Sequence, residues 1–275
     1  MKFPSDRLYK FSSFNENSIS ALASSSVWFS NVSALNDPFE GFVTYDESLS
    51  EEKKVARAIR FAAECIKENT SPEQALELAM QGYLNGKDEF IERVDDSINT
   101  LLNKRKSFIE SLCVLSMSAD IPNYPYPHYA NMLMWAHYGS GFSGFCLQFS
   151  AQRLYESLKQ SQSTLAWSTV DYVDSPKNIN ILDCLCQDSV EYCRPILTKH
   201  EQWSYEGELR FISQREGLHH YSPDALDAIY IGERMPEGKQ RVLFAIVKAY
   251  FPKAKTFKVG IHQSGYKVVA EEVDI

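Results

Sequence analysis

The chain has 275 residues, 44% hydrophobic and 23% charged, a composition that supports a packed core and argues against intrinsic disorder. Its formal net charge of -8 disfavours a broad nucleic-acid surface, which needs concentrated Lys and Arg to neutralise phosphates, but leaves room for a local basic site. No run approaches the roughly 18 apolar residues of a membrane span, so no membrane partner is expected.

The segment from Met1 to Phe14 carries Lys2, Asp6, Arg7 and Lys10 and no apolar signal-peptide core. The six cysteines form no ladder of the kind found in small secreted domains. A cytoplasmic location with reduced thiols is the expectation.

In chain order, residues 8–12 and 27–30 predict short strands, with a helix over 16–25 between them. Asn36-Asp37-Pro38 signals a turn, because proline pushes the preceding residue out of the helical region. Residues 49–69 predict a helix with Val55, Ile59, Ala62 and Ile66 on one stripe. Ser71-Pro72-Glu73 is a helix start with a cap and then proline in the first turn. A third helix follows over 87–109. This trio, 49–110, reads as a helical insertion within a single domain spanning 1–275.

Residues 112–118 predict a buried strand. The stretch 120–129, DIPNYPYPHY, predicts an ordered loop at a cleft mouth, since each of its prolines removes a helical donor. A short helix over 130–138 ends at Gly139, and a strand over 142–149 packs closely enough to need Gly144. Then come a helix over 151–160, a strand over 165–172, and a helix over 179–196 holding the three late cysteines. Strands over 208–213 and 228–232, a helix over 236–249, and strands over 255–259 and 266–271 complete the chain. Without a regular βαβ beat, the expected class is α+β, a mixed and mostly antiparallel sheet split around a cleft.

The densest chemistry lies in 199–212, KHEQWSYEGELRFI. Glu206 and Glu208 are spaced to share one face of a strand, and paired carboxylates raise at least one pKa. That suits a group that holds a proton or stabilises a cation in glycosidic cleavage. The plainer alternative is a solvated strand end. Trp203, Tyr205 and Arg210 surround the pair.

His137, beside Tyr138 at a helix end, suits a base, a phosphate donor or a metal ligand, or else a helix cap. Asn36, with Asp37 and Glu40, suits a ligand amide or hydroxyl, or else local turn bonding. Ser116 and Ser118 share a strand face and could meet a ribose, or else bond nearby backbone. Arg7 and Lys10 flank the first strand and suit pyrophosphate, or else an exposed ion pair, and Lys199 is similar. His219-His220 reads as a solvated loop. Cys184 and Cys186 lack the second pair a structural zinc needs. No Rossmann, P-loop or nucleophile-elbow motif is present.

Taken together, LYKF, WFSNVSALNDPFE, MLMWAHYGSGFSGFCLQF, VDYV and KHEQWSYEGELRF resemble the DUF2971 family of uncharacterised bacterial proteins. The resemblance runs over nearly the whole chain and is weakest through 49–110. More distantly, the layout is similar to the ADP-ribosyltransferases, a resemblance that implies a split α+β fold holding NAD in its cleft. It implies that Glu208 meets the ribose and Glu206 the acceptor side. Lys10 or Arg7 would supply the first-strand group, with Ser30 or Ser116 and Ser118 on the second.

The expectation is therefore an NAD-using transferase-like or glycohydrolase-like enzyme with Glu208, Glu206 and His137 as catalytic groups. Lys10, Arg7, Asn36, Ser116, Ser118, Tyr138, Trp203, Tyr205 and Arg210 would hold a small nucleotide-like ligand, with no metal and an unknown macromolecular acceptor. The alternatives are a metal-dependent phosphoesterase or nuclease using His137, Glu206, Glu208 and Asp37, and a noncatalytic module binding a nucleotide or peptide.

Overall fold

The central strands are buried along nearly their whole length. In chain order the strands are β1 (Arg7–Ser12), β2 (Ser26–Asn31), β3 (Thr44–Tyr45), β4 (Cys113–Ala119), β5 (Phe145–Ser150), β6 (Ala166–Thr169), β7 (Asp171–Val173), β8 (Asn178–Ile179), β9 (Thr198–His200), β10 (Glu208–Ser213), β11 (Gly217–His220), β12 (Leu226–Gly232), β13 (Lys255–Ile261) and β14 (Val268–Glu272). The helices are α1 (Glu16–Ala23), α2 (Glu51–Ile66), α3 (Pro72–Asn85), α4 (Lys87–Glu110), α5 (Met132–His137), α6 (Ala151–Gln160) and α7 (Glu237–Tyr250). The computed structural model describes residues 2–37, 39, 44–45, 50–122, 124–162, 164–176, 178–179, 190–262 and 264–274. The fold is α+β. The chain divides into two compact units, one of residues 1–37, 112–172 and 199–275, the other of 38–111 and 173–198.

The first unit is built on a ten-stranded sheet in the order β11-β2-β4-β1-β5-β12-β13-β14, with β10 paired to β4 and β6. Its pairs are antiparallel except β12 with β13. Leu8, Leu115, Leu147, Leu209, Phe211 and Ile229 pack on one face with Leu154 and Leu158 of α6 and Leu243 and Val247 of α7. Tyr9, Phe11, Cys146 and Tyr230 pack on the other with Met134 and Trp135 of α5. Each such fully buried side chain stabilises the fold by about 1.5–3 kcal/mol.

The registers show where the sheet parts. β1 pairs with β4 only at Leu8↔Ala119 and Tyr9↔Ser118, while its pairing with β5 continues to Ser12. At its other end β4 pairs with β2, at Ser30↔Val114 and Asn31↔Cys113. Between these two short stretches β1 and β4 separate. Lys10 Nζ, rather than a strand N–H of β1, donates to Ser116 O at 3.0 Å, which satisfies an acceptor that the parted strands leave behind.

The close approach expected at Gly144 is present, since a Cβ there would lie 2.3 Å from Ser12 O. Two local expectations are corrected. His219 and His220 lie in β11, not in a solvated loop. Alternation turns His219 inward, 2% exposed, against the Phe29 ring and with Nε2 2.9 Å from Arg215 O. The helix expected over 179–196 is, where described, a 3-10 helix from Val190 to Leu197 with Pro195 inside it. Proline cannot donate the interior bond an α-helix requires. Pro38, Glu40, Cys184 and Cys186 lie outside the described residues.

In the second unit, Ala58 and Phe61 of α2 pack with Val94 and Ile98 of α4, and α3 buries Ala75 and Ala79. α3 begins as its sequence predicts. Ser71 and Gln74 form a reciprocal capping box, and Pro72 sits in the first turn. Arg105 of α4 is buried, with Nε donating to Tyr192 O at 3.0 Å and its guanidinium 5.7 Å from that residue's ring centre. Among the described residues, no helix is long and apolar enough to cross a membrane.

Candidate functional site

Lys199 is a buried residue of β9. After it, His200 caps a short 3-10 turn over Glu201–Glu206 by accepting from Gln202 N at 3.3 Å. Gly207 then takes φ +51 and leads into β10. Glycine is needed at this position for two reasons. A left-handed backbone disfavours a side chain, and a Cβ would lie 2.9 Å from Ala119 O.

Glu206 thus ends the turn that leads into β10 and Glu208 opens that strand, and the two carboxylates converge on one cation. Lys199 Nζ lies 2.8 Å from Glu206 Oε2 and 2.8 Å from Glu208 Oε2. Arg210 grips Glu208 from the other side, Nε to Oε1 at 2.8 Å and Nη2 to Oε2 at 3.2 Å.

This arrangement reverses the expected electrostatics. Burial would raise the Glu208 carboxyl, but Arg210 and Lys199 outweigh it and hold the group down at about 2. Glu208 therefore stays ionised at any physiological pH and is no store for a proton. Burial would lower the Lys199 ammonium, but Glu208 and Glu206 outweigh that and raise it. Lys10 differs. Burial lowers its pKa, and Glu208 and Glu206 only partly oppose the fall.

The network extends outward. Tyr138 OH donates to Glu206 Oε1 and accepts from Asn36 Nδ2 at 3.2 Å. Burial, then the bond to Glu206, pushes the Tyr138 phenol up. Glu208 N donates to Tyr172 OH at 2.8 Å, which ties the first residue of β10 to a half-buried ring.

These groups line a cavity of about 310 Å³ beside the parted strands. Of the residues singled out from sequence, Lys10, Asn36, Ser116, Ser118, Tyr138, Glu206, Glu208 and Arg210 line it, and Ser30 does too. His137 does not. It is exposed, and its Nδ1 lies 2.6 Å from Tyr205 OH. Tyr205 and Trp203 also lie outside the lining, although the Trp203 ring centre is 5.5 Å from Lys199 Nζ. Arg7 pairs instead with Asp120, Nη2 to Oδ2 at 2.9 Å. Asp37 is buried but is not part of the lining.

Lys199, Trp28 and Tyr172 stand in the motif stretches of the sequence but are not among the site residues expected from it. The Trp28 signal was legible, because alternation through SVWFSN turns Val27 and Phe29 inward and leaves Trp28 exposed. Among the described residues, no group of three or more His, Cys, Asp or Glu is placed to hold a metal ion. The two site carboxylates are engaged by an ammonium and a guanidinium.

Residues 134–211 match the family model described as Protein of unknown function (DUF2971). The match begins in α5 and ends within β10, so it includes Tyr138, Lys199, Glu206, Glu208 and Arg210. No curated protein and no solved structure matches the chain.

Proposed function

We propose that this cavity binds a small nucleotide-like ligand through its anionic part. NAD is the first candidate, and cleavage of its nicotinamide–ribose bond is the reaction the acidic pair would serve. One observation carries the reading. Three cationic side chains, Lys10, Lys199 and Arg210, line the same cavity as two carboxylates, Glu206 and Glu208, which leaves one positive charge in excess. Desolvated cations facing a concave surface favour an anion such as a diphosphate. Lys10 suits that role best, because its contact at 3.0 Å is to a neutral carbonyl, Ser116 O, while Lys199 and Arg210 are held by acids.

The residues present suit NAD. Lys10 would meet the diphosphate, Ser116 and Ser118 a ribose, and the exposed ring of Trp28 a base. Bound NAD supplies a glycosidic bond that breaks with its electron pair leaving on nicotinamide, so that positive charge develops on the ribose. The permanently ionised Glu208 would stabilise that charge by accepting from the ribose 2′-hydroxyl. Tyr138 and Lys199 fix Glu206 facing the same space, where it would orient the attacking water or acceptor.

The second reading is a noncatalytic binding module, favoured by the two ion pairs that already engage Glu208. The metal-dependent phosphoesterase has no such support, because Glu206 and Glu208 are paired with cations.

Calorimetry with NAD and with inorganic pyrophosphate, together with nicotinamide release by chromatography, tests these readings. The expected result is competitive binding of both ligands, weakened about tenfold in Lys10→Met, with release abolished in Glu208→Gln while its circular dichroism stays folded. Binding should also weaken as pH rises through the Lys10 pKa, which lies below the ordinary 10.5, since the neutral amine loses its attraction for the anion. Binding without release by the wild type would select the noncatalytic module. Absence of binding would refute the assignment, and full release by Glu208→Gln would refute the role given to that carboxylate.

A further inference from the structure

A second cavity, of about 500 Å³, opens where β1 draws away from β4. It shares Lys10, Phe11, Trp28 and Tyr138 with the charged cavity, but its character is different. Lys10 is its only charged side chain among the described residues. Its floor is apolar, formed by Leu22, Val27, Phe145 and Leu147, all members of the core cluster on the sheet face away from Tyr9. Its rim carries small polar groups from the α1 region, among them Asn17 and Ser20. Both volumes lie within the roughly 300–1,000 Å³ typical of small-molecule sites.

Two side chains at its edge have no structural explanation within the sheet. Trp28 is 53% exposed and Leu218 41% exposed, and they face each other directly across the β2–β11 pair. An exposed apolar pair beside an apolar hollow leaves surface that a bound group would remove from water. A flat ring is the natural complement, because an indole face stacks on rings.

We infer that the second cavity seats the uncharged, ring-bearing part of the same ligand whose anionic part the first cavity takes. The inference rests on the reading of the charged cavity given above. The shared wall is what joins the two. A group bound at Lys10 can send one arm toward Glu208 and Arg210 and the other toward Leu22, Val27 and the Trp28–Leu218 edge. A ligand with rings on both sides of a diphosphate has this shape. A bare diphosphate would use only the charged side.

Calorimetry of the full chain with NAD and with inorganic pyrophosphate separates the two ideas. Ser20→Trp places bulk at an exposed position of α1 on the rim of the second cavity. Leu218→Ala removes part of its edge by an independent, milder change. NAD affinity should fall about tenfold in Ser20→Trp and roughly threefold in Leu218→Ala, with pyrophosphate affinity unchanged in both and circular dichroism unaltered. Equal NAD affinity in all three proteins would overturn this inference and leave the charged cavity standing. A parallel loss of both ligands would also overturn it, because the cavities would then not be separate recognition elements. Failure of the wild type to bind either ligand would overturn both ideas.

Discussion

The surface of the helices and the cavity wall of the sheet unit carry ion pairs of the same residue types in opposite surroundings. On the helices the pairs are local and wet: Lys54 with Glu51, Lys67 with Glu64, Arg93 with Glu89 and Lys106 with Glu110, each three or four residues apart. In the sheet unit, Lys199, Glu206, Glu208 and Arg210 are each at most 5% exposed in their side chains and line a cavity. A surface pair stabilises its helix by a few tenths of a kcal/mol. A buried cluster has a desolvation cost that its internal attraction repays only while every member is present. Stability alone is poorly served by such a cluster, and its place on a cavity wall gives it a use.

The largest effect follows from that asymmetry. Lys199→Met removes the cation that both carboxylates share and leaves Glu206 and Glu208 facing each other with their side chains buried. The expected loss is about 3–5 kcal/mol, read by urea denaturation with circular dichroism. Adding Glu206→Gln should recover part of it, because one of the two opposed charges is then gone. A loss below about 1 kcal/mol would mean that the cluster is hydrated and energetically ordinary.

Sequence pattern shows the class and most strand positions, since alternation and turn residues are local. It also singles out residues 199–212, because a Lys, a His, three Glu, an Arg, a Trp and a Tyr in so short a stretch are unusual for a plain strand. The role of Lys199 is less visible. It is seven residues from Glu206, across a 3-10 turn, with a left-handed glycine further separating it from Glu208, and no strand or helix period brings the three together. The lowered pKa of Glu208 is hidden for the same reason. The spacing shows the neighbouring acid, but the cations that dominate it are placed by the turn and by β10. His137 illustrates the converse. Its sequence neighbours Trp135 and Tyr138 face inward, but the helix ends there and the imidazole points to Tyr205 at the surface. The separation of β1 from β4 is a matter of register, which depends on β2 and β5 and is not written in either strand alone.

The next effect is a pH dependence. Glu208 is ordinarily a group of pKa 4.5 and is held at about 2 in the folded chain. A depressed carboxyl stabilises the fold above its unfolded pKa and loses that contribution as pH falls toward its folded one. The contribution is about 3 kcal/mol, complete above roughly pH 5 and draining away between about pH 4.5 and pH 2. Urea midpoints of the wild type should fall steeply over that window, and those of Glu208→Gln should fall less. Equal slopes would mean that other acids control the acid limb.

The smallest effect is the control. Lys54 Nζ lies 2.7 Å from Glu51 Oε1, a distance as short as the pairs at the site, but the side chains are 44% and 84% exposed. Water screens both charges, and holding two long side chains together costs rotamer freedom. Alanine also favours helix slightly more than lysine. Lys54→Ala should therefore change the unfolding free energy by less than about 0.5 kcal/mol, and about 1 M salt, where the screening length is near 3 Å, should erase even that. The same salt should leave the Lys199→Met deficit largely intact, because buried charges are screened much less than exposed ones. If salt removed both deficits alike, distance rather than burial would govern the two sets of ion pairs.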